Sequence, residues 1–283
     1  MDERPATQKS DESSLEQLAR LAIDGDRGAL DVVVRELQSR VYHLALRMLW
    51  NREDAEDATQ EILVRIVTRL SQFDFRSRLH TWAFRVAVNY ILDVKKSATE
   101  RLHLSFERFA DTLTAGLDLE VDANAEHSLL IEEVKVGCTL AMLQCLDRPH
   151  RLAYVLGEIM ELKSPEAAEV LDVSPELFRK RLQHARASVL SFTKSYCGLA
   201  SDTAPCRCDR QVASAVRDGR VNPHQLVFAG TRTSFKETRA KVREVENARW
   251  ALEVHRTSHP KDSSVDFARQ ILESFERFDG QDD

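Results

Sequence analysis

One block of the sequence, residues 42–96, constrains the fold most because it sets an acidic helix next to a basic one. Residues 51–61 hold five acids against one arginine, and residues 76–96 hold five basic residues against one acid. Neighbouring helices of opposite charge suit two different partners, one basic and one polyanionic. We therefore predict two binding surfaces within one small bundle of helices.

The acidic part predicts a helix with one buried stripe, since its apolar residues recur at steps of three and four. That stripe consists of Ala55, Ala58, Ile62, Ile66 and Leu70. Asp57, Gln60 and Glu61 then lie on the exposed side. Acids in the first turns also favour a helix N-terminus through its dipole, which explains the charge but not the Asp-x-x-Gln-Glu spacing.

The basic part predicts a second helix, capped by Ser77 and carrying its own apolar stripe. The predicted stripe is Leu79, Trp82, Val86, Tyr90 and Val94. The residues expected on a separate polar face are Arg78, Thr81, Arg85, Asn89 and Lys96. Such a face offers charge for phosphate, an amide for base edges and a ring for stacking. The alternative is a buried Trp82 beside a solvated basic face.

This block resembles the second conserved region of sigma-70 family initiation factors, in their extracytoplasmic-function (ECF) form. The run from Asp57 to Glu61 is similar to the helix with which those factors hold the coiled-coil clamp of bacterial RNA polymerase, which implies a polymerase contact at Asp57, Gln60 and Glu61. The run from Arg76 to Asp93 is similar to their promoter-melting segment. The resemblance implies that the loop at residues 76–80 receives a flipped base of the −10 element, whose extrusion costs roughly a few kcal/mol. The residues implied in −10 binding and melting are Arg76, Ser77, Arg78, His80, Trp82, Arg85, Asn89 and Lys96.

A helix-turn-helix is predicted at residues 164–192. Ser164-Pro165 and Ser174-Pro175 each combine a cap with a proline at the first helical position. By resemblance this unit is the fourth region of ECF factors, which reads the −35 element through the major groove. Asp172 stands where the turn normally holds glycine, and aspartate tolerates left-handed geometry at some cost. The residues implied in −35 binding are Ser174, Arg179, Lys180, Arg181, His184 and Arg186.

The C-terminal extension holds three of the five cysteines, Cys197, Cys206 and Cys208, in a spacing that is not a standard zinc finger. Three thiolates and one imidazole, from His184 or His224, would nevertheless complete a tetrahedral zinc site. A redox switch is an alternative, because neighbouring arginines favour thiolates. Simple packing of reduced thiols is the third.

The chain as a whole predicts an all-α protein with two small helical domains joined by an acidic linker. Residues 100–135 hold nine acids and three basic residues and show few helical stripes, which indicates a linker. The predicted segments are a disordered N-terminus (1–13), a first domain (14–96), the linker (97–135), a helix-turn-helix domain (136–195) and a C-terminal extension (196–283) with helices at 235–254 and 265–278.

The resemblance implies a sigma factor that directs core RNA polymerase to promoter DNA and melts the −10 element. The alternative is a helix-turn-helix regulator that binds duplex DNA without polymerase. The chain shows no phosphate loop, catalytic triad spelling or paired carboxylates, so we expect no enzyme and no required cofactor. Regulation would come from a separate anti-sigma factor or from the C-terminal extension. The sequence has no membrane-spanning run or signal-peptide core, so we expect a cytoplasmic protein.

Overall fold

The structure is a computed structural model that describes residues 7–94, 104–116, 125–229 and 250–279. Within these ranges the regular secondary structure is helical, which confirms the predicted all-α fold. Every helix there is too short or too polar to span a lipid bilayer.

The first domain is built from α1 (Thr7–Ile23), α2 (Arg27–Leu49), α3 (Arg52–Thr68) and α4 (Leu79–Asp93). Asp26 caps α2 and Asn51 caps α3, each by accepting a 2.9 Å hydrogen bond from a backbone amide of the first turn. The predicted stripe of α3, from Ala55 to Leu70, is buried. This helix therefore packs on α2 as its apolar pattern indicates.

The N-terminal helix begins earlier than the sequence predicts. Residues 7–13, which we expect to be disordered, belong to α1, and residues 1–6 lie outside the described residues. Leu15 and Ala19 are buried against the bundle. Once a helix is nucleated, each added residue brings one more hydrogen bond, so a polar segment can continue it.

The helix α4 buries a different stripe from the predicted one. Its buried face consists of Leu79, Thr81, Ala83, Phe84, Ala87, Val88 and Ile91. Trp82, Val86, Tyr90 and Val94 are only half-buried, and the prediction for Thr81 as a polar-face residue is wrong. Both candidate stripes are apolar, so periodicity alone cannot choose between them.

Ser77 does not cap α4. The residue before the helix is Arg78, which forms no capping hydrogen bond through its side chain. Instead the Glu16 carboxylate on α1 accepts a 2.9 Å hydrogen bond from the Leu79 amide. The cap comes from a residue 63 positions away in the chain, which a local sequence pattern cannot reveal.

The predicted linker at residues 97–135 is partly helical. It contains α5 (Phe106–Ala115), which Ser105 caps, and the start of α6 (Ala125–Gln144). Residues 125–135 thus belong to the helix that opens the second domain. The acidic composition misled the prediction because some of its charges are buried and paired, as in the 2.6 Å ion pair between Glu132 and Lys135.

The second domain continues with α7 (Arg148–Tyr154), a π-helical turn at residues 155–159, α8 (Ser164–Val170) and α9 (Pro175–Tyr196). Ser174 caps α9 as predicted, accepting a 3.1 Å hydrogen bond from the Leu177 amide. The corresponding prediction for Ser164 is wrong, since Ser164 is already helical and Lys163 precedes the helix. Asp172 has a φ of 52°, so the turn adopts left-handed geometry without glycine.

The two domains share one continuous hydrophobic core, and two arginines of α7 join them. Arg151 is buried and donates hydrogen bonds of 2.6 to 3.0 Å to three carbonyls at the ends of α2 and α6, those of Met48, Leu143 and Leu146. Arg148 donates 3.2 Å hydrogen bonds to three carbonyls at the end of α4. Carbonyls at helix ends have no partner within the helix, so both arginines satisfy groups that the helices leave open.

The C-terminal extension forms α10 (Cys208–Arg217), α11 (Trp250–Thr257) and α12 (Phe267–Asp279). The prediction at 265–278 is confirmed by α12, while most of the predicted helix at 235–254 lies outside the described residues. Helix α10 packs on α6, and α12 packs on α2 and α3. The Glu133 carboxylate of α6 accepts hydrogen bonds of 2.6 to 3.1 Å from the amides of residues 227–229.

Candidate nucleic-acid interface

The predicted polymerase contact lies on the outer face of α3. Asp57, Gln60 and Glu61 are exposed, while Ala58 and Ile62 of the same helix are buried. Within the described part of the chain, neither carboxylate forms an ion pair or a hydrogen bond. This face is therefore open and acidic, and it can receive a basic partner.

The loop before α4 carries an aromatic cluster that sequence reasoning missed. The Phe73 ring lies 4.5 Å from Phe75 and 5.5 Å from Trp82, between ring centroids. The Arg20 guanidinium of α1 covers Phe75 at 3.8 Å, and Phe75 has a φ of 59°. The sequence signal that could have indicated this cluster is the presence of two phenylalanines in a short loop between helices. The cluster supports Trp82 from one side and leaves the indole half-buried.

His80 is the predicted site residue whose surroundings differ most from expectation. Burial lowers the pKa of His80 to about 4, so the ring is neutral at pH 7 and offers phosphate no charge. Its Nε2 atom is buried without a hydrogen-bond partner among the described residues. His80 lines a cavity of about 1020 Å³ between the first domain and the segment that precedes α8.

Two of the predicted melting residues, one just before α4 and one within it, form ion pairs with the second domain. Arg78 lies 3.6 Å from Glu166 of α8, and Arg85 lies 3.3 Å from Asp172 in the turn of the helix-turn-helix. Asn89 is exposed, and Lys96 lies outside the described residues.

Two further site residues lie in the loop just before α4. Arg76 is exposed and pairs with Asp74 at 2.5 Å, and Ser77 is half-buried. The helix-turn-helix thus covers part of the predicted melting face of α4 and leaves the loop open.

The basic residues of α9, the second helix of the helix-turn-helix, differ in their exposure and in whether they form ion pairs. Arg179 and Lys180 are exposed, with Lys180 paired to Glu176 at 2.9 Å, and Arg181 is half-buried. Arg186 pairs with Glu158 of the π-helical turn. The His184 ring lies 4.6 Å from His150, between ring centroids. Ser174 uses its hydroxyl as the helix cap, so the structure gives this side chain a local role.

The cysteines of the extension form a buried group. Cys197 and Cys206 face each other across an isolated parallel β-bridge. Burial raises the pKa of Cys208, to which nearby thiols including Cys138 of α6 contribute, and burial also raises the pKa of Cys206 to about 12. The Arg207 guanidinium donates instead to backbone carbonyls, so burial outweighs its influence on the thiols. Among the described residues, no group of three or more His, Cys, Asp or Glu side chains is arranged to hold a metal ion.

Comparison with known proteins shows a similarity to RNA polymerase sigma factors. Residues 33–101 match Sigma-70 region 2. ECF RNA polymerase sigma factor SigW of Bacillus subtilis is 28% identical over 171 residues, which cover 58% of this chain and 89% of that protein. ECF RNA polymerase sigma factor SigE of Mycolicibacterium smegmatis is 29% identical over 185 residues, covering 64% of this chain and 67% of SigE.

A solved structure of CnrH in complex with the cytosolic domain of CnrY aligns at a TM-score of 0.44 with 23% identity, covering 60% of this chain and 91% of that one. The region 2 match spans the acidic and basic helices described above. The chain is similar to extracytoplasmic-function RNA polymerase sigma factors, through this region 2 match and through relatives that align with 58 to 64% of its length.

Proposed function

We propose that this protein directs core RNA polymerase to specific promoters and melts their −10 element. The observation that carries the proposal is the exposed face of Asp57, Gln60 and Glu61 within the segment that matches Sigma-70 region 2. A helix-turn-helix regulator that acts without polymerase has no use for that face. In this proposal α3 binds polymerase, the loop and α4 act on the −10 element, and α9 reads the −35 element.

The direct test is transcription in vitro with core polymerase on a fragmented bacterial genome. We expect defined start sites that require added protein. A variant in which the C-terminal extension is released, described below, is assayed in parallel so that an inhibited wild type is not mistaken for an inactive one. If the wild type and the released variant both bind duplex DNA and neither produces new transcription start sites, the result would support the regulator alternative.

Replacing Trp82 by alanine is expected to allow closed promoter complexes but to reduce open ones by about fivefold to a hundredfold. The physical reason is that stacking on an aromatic side chain contributes about 1–3 kcal/mol per base. Permanganate footprinting of unpaired thymines measures the open complexes, and gel shift measures the closed ones. Trp82→Phe retains a ring and is the matched control. Equal losses in both assays would indicate misfolding instead of a melting role.

The remaining partners follow from the same proposal. The protein would act in the cytoplasm, where polymerase and promoters are found, and would catalyse no reaction of its own. A separate anti-sigma factor or the C-terminal extension would regulate it.

A zinc ion in the extension stays a prediction. The predicted fourth ligand is His184 or His224; Cys138 of α6, which lies close enough to Cys208 to influence its pKa, is a further candidate, and a Cys₄ set suits zinc. Such a site would have to form on metal binding, since the thiols are not arranged around an ion. Elemental analysis of the reduced protein should then find about one equivalent of zinc, and none in a Cys197→Ser, Cys206→Ser, Cys208→Ser variant. A metal-free wild type whose extension resists proteases would leave packing as the explanation.

A further inference from the structure

The C-terminal extension reaches the second domain through α11. Arg256 donates hydrogen bonds of 3.1 and 3.2 Å to the Glu158 carbonyl and forms a 2.6 Å ion pair with Glu161. The buried His255 ring meets the Tyr154 ring edge-on, with 5.3 Å between centroids. All of these partners lie in or beside the π-helical turn that connects α7 to the helix-turn-helix.

This connecting segment has the features of a hinge. The π-helical turn at residues 155–159 departs from the α-helical hydrogen-bond pattern, and such turns often mark functional positions. Glu161 has a φ of 57°, a left-handed conformation that non-glycine residues rarely adopt. Backbone of this kind persists where surrounding contacts hold it. Arg256 supplies two such contacts, one on either side of the turn's end.

The extension holds the first domain a few residues further along. Asp262 accepts a 2.6 Å hydrogen bond from the Ser39 hydroxyl and lies 2.8 Å from the His43 Nε2 atom. Asp266 lies 3.3 Å from the Arg35 guanidinium. Beyond these contacts, α12 buries its apolar face on α2 and α3.

The span between these two attachments is itself anchored. The Lys261 amide donates a 2.8 Å hydrogen bond to the Phe228 carbonyl, and the Lys261 ammonium donates a 2.7 Å hydrogen bond to the Leu226 carbonyl. Residues 227–229 are bound in turn by Glu133 of α6. The extension is therefore fixed at the hinge, in its middle and on the first domain.

The contact that this arrangement maintains is packed in one part and open in another. Helix α8 packs on α4, with Ala167 and Ala168 buried in the shared core. The Arg78–Glu166 and Arg85–Asp172 ion pairs beside it are partly exposed, and such ion pairs contribute little. A cavity of about 1020 Å³ lies at the same boundary, next to the hinge. The extension is bonded to this hinge and to the first domain, so it adds contacts that hold the helix-turn-helix in place.

We propose that the C-terminal extension is an intramolecular clasp that holds the helix-turn-helix over α4, so that Arg78 and Arg85 are kept from DNA while the acidic face of α3 stays open. The part that concerns DNA rests on the proposed function. The part that concerns the position of the two domains does not, because it is measured without DNA or polymerase.

The test uses the full chain with fluorophores at Ser71 and Gln183, attached through non-natural amino acids so that the five cysteines stay unmodified. Both positions are exposed, one in the first domain and one on α9. The clasp variant is Arg256→Ala, Asp262→Asn, Asp266→Asn. Arg269→Ala is the matched control, because Arg269 is 73% exposed and forms its ion pair with Glu273 of its own helix. Asp266→Asn alone is a milder variant in case the triple variant fails to fold.

We expect energy transfer to fall in the clasp variant, to fall partly in Asp266→Asn and to stay unchanged in Arg269→Ala. Binding of single-stranded −10 DNA should rise by about tenfold in the clasp variant. Unchanged energy transfer in folded clasp variants would overturn the clasp. A fall in energy transfer without a rise in DNA binding would leave the clasp standing and count against the proposed role of α4.

Discussion

Replacing Asp57 and Glu61 together by arginine is expected to abolish co-purification with core RNA polymerase while the helix content of the protein stays unchanged. Both carboxylates are exposed on α3, and within the described residues neither is used in an ion pair that would be lost on substitution. Like charges that meet across an interface cost several kcal/mol, so the double reversal should weaken binding by more than about a hundredfold. Pull-down with purified core enzyme measures binding, and circular dichroism measures the helix content.

The matched control for this experiment is Glu107→Arg with Asp111→Arg on α5. These two residues are also exposed acids four positions apart, and they lie outside the segment that matches Sigma-70 region 2. The control should therefore make the same change in net charge without reaching the proposed contact. Normal polymerase binding by the Asp57 and Glu61 variant would remove α3 as the contact.

Replacing Arg151 by alanine is expected to lower the free energy of unfolding by about 3 kcal/mol or more. The side chain is only 3% exposed and satisfies carbonyls at the ends of two helices from different domains. A buried polar group left without its partner costs about 1–3 kcal/mol, and this substitution leaves three. Urea unfolding followed by circular dichroism measures the loss.

Arg179→Ala is the control for that measurement, since Arg179 is exposed on α9 and should change the free energy of unfolding by less than about 0.5 kcal/mol. Because the two domains share one core, we also expect them to unfold in a single transition. Similar stabilities for the two variants would show that water replaces Arg151 at the helix ends.

The sequence was most informative where a feature depends on neighbours within one helix. The stripe of α3 and the cap at Ser174 follow from local spacing and are confirmed. The stripe of α4 was wrong because two apolar faces compete there, and only packing against α2 and α3 selects the one with Ala83 and Ala87. Local patterns thus locate helices well and choose between two apolar faces poorly.

The candidate site could be predicted as a set of residues but not as an arrangement. The exposure of Asp57, Gln60 and Glu61 follows from the helix period. The contacts of Arg78 and Arg85 with the second domain join residues almost ninety positions apart, and no pattern within either helix indicates them. The same holds for His80, because burial and the charges of Arg40 and Arg78 lower its pKa, and Arg40 lies forty positions earlier in the chain.

The attachment of the extension to α2 joins residues that are far apart in the order of synthesis. Ser39 and Asp262 are separated by 223 positions, and both α4 and α9 are complete before the ribosome reaches α11. At about 5–20 residues per second, the roughly eighty residues from Arg186 to Asp266 take about 4–16 s to translate. Each new molecule therefore spends several seconds on the ribosome with α4 and α9 synthesised and the extension not yet in place. Under the proposed clasp, the time for which α4 is uncovered in a new molecule is set by the pace of translation.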